Sequence, residues 1–98
     1  MNGDSDVDLE ALGRTAAEQI AGEDSVREVA VVRSEDASQR PIYRFVFLID
    51  QRRARQRAGL LRTRLVQRLR DELITRGDGH FPEVQILNRE DWERRPNA

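Results

Sequence analysis

Apolar positions along the chain repeat at helical or strand spacing in five stretches, separated by polar turns. In residues 51–76, Ala54, Ala58, Leu61, Leu65, Leu69 and Leu73 recur three or four residues apart, with Val66 on their shoulder. That spacing lays one apolar stripe along an amphipathic helix. Its alanine, leucine, glutamine and arginine content favours helix throughout. Asp50 is placed to cap the start, and Gly77 to end the helix in a left-handed conformation before Asp78-Gly79. Gly59 weakens the run by about 1 kcal/mol relative to alanine, so the first two turns are expected to be partly separate. Leu9, Leu12, Ala16 and Ile20 predict an earlier helix over 8–21, capped by Ser5 or Asp6, weakened at Gly13 and ended by Gly22.

The valine-rich segment 25–34 predicts a strand, and 35–40 a polar turn. Pro41 then opens a second strand, IYRFVFLI. Tyr43, Phe45, Phe47 and Ile49 share one face; Ile42, Val46 and Leu48 share the other with Arg44. A strand apolar on both faces belongs in the middle of a sheet. The short turn makes these two strands an antiparallel hairpin. A third strand over 83–88 alternates Val84 and Ile86 with Glu83 and Gln85. The long helix is then the crossover between the second and third strands, which run parallel. Asn88, three residues before Asp91, predicts a cap for a last helical turn holding Trp92. The expected fold is a two-layer α+β domain of order α-β-β-α-β, a three-stranded mixed sheet with two helices packed on one face. One domain spans 8–93, with a frayed polar tail at 1–7 and a second polar tail at 94–98.

Charge changes this picture most. The net charge is −1, yet residues 1–36 carry ten acids and three arginines, while residues 51–76 carry nine arginines and two acids. All 17 basic residues are arginine, spread over the whole chain, which reads as a compositional bias more than one arginine-built site. There is no cysteine, which excludes disulfides, thiol catalysis and thiolate metal sites. No apolar segment reads as a signal peptide or membrane span, so the expected place is the cytoplasm. No cofactor or metal is expected.

Arg53, Arg57, Arg64 and Arg68 fall opposite the apolar stripe and form a basic ridge on the predicted helix. Arg52 and Arg53 there oppose the helix dipole. The ridge reads as a solvated face with local pairs such as Arg68 with Glu72, as a surface neutralised by the acidic first third, or as a contact for RNA phosphates or an acidic partner. No aromatic residue interleaves it, so bases find no stacking platform. Arg62 lies on the apolar side beside Val66 and is expected to reach past the core edge or pair with a carboxylate. Trp92 reads as a lid packed near Ile86 or Leu87, or as an anchor for a partner. His80 sits beside Asp78, which could orient it. With no nucleophile or second ligand in view, a solvent-exposed loop residue is expected, and no catalytic role.

The succession of a helix, a strand ending in Arg33-Ser34, an apolar strand, a helix and a final strand loosely resembles the nucleotidyltransferase core. That resemblance implies a degenerate form of that fold, since its Gly-Ser turn is Arg33-Ser34 here and Tyr43 to Ile49 holds no metal-binding acidic pair. The same order loosely resembles a type II KH domain, which implies single-stranded RNA binding. That family's glycine-rich clamp loop between helices is missing. The preferred reading is a small interaction or regulatory module without catalytic activity, partnered by a protein or by itself before nucleic acid. Nucleic-acid binding through 51–76 is the alternative. A homodimer is a corollary, because two helices leave the Val46 and Leu48 face of the second strand for another subunit.

Overall fold

The computed structural model describes residues 6–95. Its elements are α1 (Asp6–Ala21), β1 (Val26–Glu35), β2 (Pro41–Ile49), α2 (Ala58–Thr75), β3 (Phe81–Leu87) and α3 (Arg89–Arg94). The sheet order is β1-β2-β3, antiparallel between β1 and β2 and parallel between β2 and β3. The mixed three-stranded sheet with α1 and α2 on one face follows from the pattern of the sequence. Helix α1 starts two residues before the expected position 8; the expected Ser5 cap and most of both tails, 1–5 and 96–98, lie outside the described residues.

One core joins the layers. Tyr43, Phe45, Phe47 and Ile49 on β2 and Val84 on β3 meet Leu9, Leu12, Ala16 and Ala17 of α1 and Leu61, Leu65, Leu69 and Leu73 of α2. These four α2 leucines are fully buried, while Leu60 is exposed. Burying each such side chain contributes about 1.5–3 kcal/mol. Gly13 does not merely weaken α1. A Cβ there would come within 3.0 Å of the Phe45 ring and 3.2 Å of Val29, so the missing side chain lets helix and sheet approach. Ile20, expected in the α1 stripe, is half-buried, and Ala17 takes the deeper place.

The predicted 51–76 helix is shorter. Residues 51–57 form turns, and α2 begins at Ala58. The reason lies in where the backbone N–H groups go. Ala54 N–H donates to Asp50 O at 3.1 Å, one helical turn, but Arg55 N–H donates to Ala21 O at 3.0 Å. That bond satisfies a carbonyl at the end of α1 and stops the turn from propagating. Asp50 therefore holds this turn and does not cap α2. Its Oδ1 accepts from the Arg52 N–H at 3.1 Å. That bond above all, with the nearby guanidinium groups, holds the Asp50 carboxyl below the usual carboxylate range. Arg57 takes an extended conformation as the residue before α2, and its side chain makes no capping bond. Ala58, expected in the stripe, is exposed. The other end matches expectation: Gly77 has φ 75°, with its N–H on Ile74 O at 2.9 Å and the Asp78 N–H on Leu73 O at 2.8 Å. This pair of bonds is the Schellman stop.

Opposite the helices, Val46 and Leu48 are 4% and 3% exposed in the single chain. The face therefore needs no second subunit to cover it. Arg44 crosses there to Glu83 on β3, its register partner, at 2.7 Å.

Two substitutions check the packing. Leu65→Ala should cost about 2–5 kcal/mol in urea melts, the range for a packed leucine; a loss under about half a kcal/mol would mean a different helix face is buried. Gly13→Ala gains about 1 kcal/mol of helix propensity. Phe45 is fully buried and cannot yield, and overpacking costs about 1–3 kcal/mol. A lower melting temperature is therefore expected, and a higher one would refute the close approach.

Candidate interaction site

The split of the long helix divides the expected ridge. Arg53 and Arg57 stand in the turn segment, and Arg64 and Arg68 on α2. They differ in partners. Arg53 reaches Asp50 at 3.7 Å and Asp24 at 3.9 Å. Arg68 pairs with Glu72 at 3.7 Å, as the helical spacing predicts, and its guanidinium donates to Gln19. Arg57 and Arg64 are exposed and make no ion pair among the described residues, and Arg62 behaves the same way. Arg53 with Asp24 links the acidic first 36 residues to the basic 51–76 segment. Internal neutralisation by the acidic third leaves Arg57, Arg62 and Arg64 without an ion pair among the described residues.

Arg62 is expected to reach past the core edge or pair with a carboxylate, and it takes no carboxylate among the described residues. It lines a groove of about 580 Å³ with Ala58, Gly59 and the five residues Glu83 to Leu87. Successive strand residues face opposite sides of a sheet. A cavity touching five in a row therefore runs along the edge of β3, not across a face. No side-chain rule at β3 pointed to this groove; the helical angle of Arg62, on the side facing the sheet, was the available signal. At its far end β3 passes into Asn88 and Arg89, which line a second cavity of about 590 Å³ with Arg27, Asp50 and Arg52. The groove between α1 and α2 is charge-compensated, with Asp8 and Glu72 beside Arg68 and Arg76.

Trp92 is not a free anchor. It is half-buried, and the Arg95 guanidinium lies 3.7 Å from its ring centroid. The same arginine donates to Trp92 O at 2.9 Å. The Asn88 cap forms as predicted, its Oδ1 accepting from the Asp91 N–H at 2.8 Å.

His80 is only about one-third exposed and is held on three sides. Its ring stacks on Tyr43, centroids 4.1 Å apart at 8°. Its Nδ1 lies 2.6 Å from Asp78 Oδ1, which also accepts from the His80 backbone N–H at 3.0 Å. The carboxylate accepts, so the ring proton stands on Nδ1. The other Asp78 oxygen accepts from the Tyr43 hydroxyl at 2.6 Å. These bonds clasp the loop after α2 to the first half of β2. Burial raises the Asp78 carboxyl, but the bonds from Tyr43 and His80 outweigh it and hold the group below the usual range. Burial first, then the bond to Asp78, pushes the Tyr43 hydroxyl up to about 12. The sequence signalled the Asp78–His80 contact through its spacing; Tyr43, 35 positions earlier, carried no such signal.

No protein-family model, curated protein or solved structure matches the chain.

The clasp has two pH limbs. A depressed Asp78 stabilises the fold above about pH 4, the ordinary carboxylate range, and that contribution is lost as pH falls through its folded value. A raised Tyr43 stabilises below about pH 10 and that contribution is lost toward 12. Tyr43 is the only tyrosine, so absorbance at the tyrosinate band reads it alone. A midpoint near 12 is expected in the folded chain, falling in Asp78→Asn; a midpoint near about 10 in both proteins would mean the clasp does not form.

Proposed function

We propose that the chain is a non-catalytic interaction module whose basic surface, built from the turn segment 51–57 and the first half of α2, receives an anionic partner. The observation that carries this reading is that Arg57, Arg62 and Arg64 are exposed and make no ion pair among the described residues, although ten acids precede residue 37 in the same chain. Intramolecular pairing was the main competing use for these arginines. An exposed guanidinium left without a carboxylate keeps its fork of donors for a carboxylate or phosphate from elsewhere. Helix α2 adds to the positive field, since its first turn holds no acid and its start has no side-chain cap.

Tyr43, Asp78 and His80 form a cluster with the group types of acid–base chemistry. Their mutual bonds consume the carboxylate on both oxygens. That supports a role in holding the loop to the sheet. A protein partner is favoured over single-stranded nucleic acid, because no aromatic ring lines the surface around Arg62 and Arg64 for bases to stack on. Location and assembly stay with the same reading: a cytoplasmic module acting as a monomer, since the Val46 and Leu48 face is already covered. Among the described residues, no helix is long and apolar enough to cross a membrane.

Fluorescent polyglutamate, followed by anisotropy over a salt series, tests this. Binding should weaken steadily with salt. Arg57→Gln with Arg64→Gln should weaken it about fivefold, because each exposed contact contributes roughly 0.2–1 kcal/mol, and should leave the melting temperature unchanged. Equal affinity in the double variant would overturn the reading. So would a fall in melting temperature without loss of affinity. Tighter binding of single-stranded RNA at the same salt would replace it with the nucleic-acid alternative.

A further inference from the structure

Among the described residues, strand β3 is an edge strand, paired only with β2. Which of its backbone groups are free follows from two separate observations. Pro82 has no N–H, and in a sheet a proline is accommodated with its nitrogen toward the open edge. Independently, the Asp50 N–H donates to Ser25 O at 2.8 Å and Arg40 O accepts from the Asp36 N–H at 3.0 Å. Both bonds turn even-numbered residues of the β2 segment toward the β1 side. Tyr43, Phe45 and Phe47 then bond toward β3. Their register partners are Pro82, Val84 and Ile86. In a parallel ladder, one member of each partnered pair points away. Both lines agree: the N–H and C=O groups of Val84 and Ile86 face the open edge.

The groove of about 580 Å³ runs along those groups. Its helical wall is low. Gly59 has open space where a Cβ would stand, and Ala58 is exposed. Arg62 stands over it, and at the Leu87 end Arg89 and Arg52 line the adjoining cavity. The other sheet edge is different. Side chains of α1 cross to β1, Asp6 to Arg33 at 3.2 Å and Arg14 to Arg27 O at 3.4 Å, and β1 carries a bulge between Val26 and Glu28. Bulges and charged side chains are how edges are kept from pairing.

Resting on the anionic-partner reading above, we propose that the partner is an extended acidic peptide that adds to β3 as a fourth strand. Its main chain bonds to Val84 and Ile86, and its carboxylates meet Arg62 along the groove and Arg89 at the strand end. Alternating free N–H and C=O groups match the two-residue repeat of a peptide strand. The arginines set the sign of its charge. A second copy of this chain fits poorly, because two-fold pairing of β3 would bring the same arginine set to both sides of the seam. Nucleic acid lacks a ring in the groove to stack on.

The probe is a fluorescein-labelled hexapeptide of alternating glutamate and valine, in low-salt buffer, followed by anisotropy and by amide exchange. Saturable binding is expected, with new protection at the Val84 and Ile86 amides. N-methylation at every second residue, made in both phases, should weaken binding about tenfold in one phase, the loss of one or two main-chain bonds. Gly59→Leu should fill the groove and abolish binding without lowering the melting temperature, since leucine is the better helix former. Arg62→Gln should weaken binding a few-fold. Equal binding by both N-methylated peptides, or full binding by Gly59→Leu, would overturn strand addition. If polyglutamate binding stayed sensitive to Arg57 and Arg64 in that case, the basic-surface reading alone would stand. Loss of both signals would remove both. Tighter binding of a hexauridylate at the same salt, or concentration-dependent protection of Val84 and Ile86 without peptide, would assign the edge to nucleic acid or to a second copy instead.

Discussion

Strand β2 imposes the constraint on which the rest of the fold depends. From Ile42 to Ile49 every residue but Arg44 is buried, so both faces need cover and both edges need a neighbour. The hairpin brings β1 to one edge, and the only chain left for the other is β3, reached by crossing over through α2. That crossover puts α2 and α1 on the Tyr43, Phe45 and Phe47 face together. It also exhausts the available strands, so the far edge of β3 has no neighbour. The open edge is a consequence of building a central strand in a chain with three strands to use.

The break before α2 is a second consequence, this time of a conflict inside the sequence. Four arginines at 52, 53, 55 and 57 would crowd the positive end of the helix dipole. A competing acceptor resolves it. Ala21 O, the last carbonyl of α1, takes the Arg55 N–H, and Asp50 gathers Arg27, Arg52 and Arg53 around one carboxylate. The helix restarts only at Ala58. Arg57 is thereby left extended just before α2, and the one long helical ridge becomes a turn and a shorter helix with different partners.

Much of this was legible in the residues themselves. An apolar run on both faces located β2, period-two alternation located β3, and the leucine stripe located α2 from Leu61 onward, because burial is what those patterns encode. Gly77 and Asn88 stop and start their helices by purely local bonds, so their roles could be read from type and spacing. What could not be read depends on groups far apart in the chain. Gly13 looks like a helix weakness until Phe45 is placed beneath it. Tyr43 looks like core until its hydroxyl meets Asp78. Arg62 looks half-buried by its helical angle, and only the position of β3 shows that it overhangs an edge. The propensity of 51–57 is helical, and a tertiary hydrogen bond overrides it.

Amide hydrogen exchange of the free chain, resolved by residue, tests the account of β3 most directly. The arrangement predicts slow exchange at Phe45, Val46 and Phe47, whose N–H groups bond to one neighbour or the other. It predicts slow exchange at Glu83 and Gln85, which bond to β2, and exchange orders of magnitude faster at Val84 and Ile86 between them. Uniform protection from Glu83 to Leu87 would contradict it, because the edge would then already be occupied.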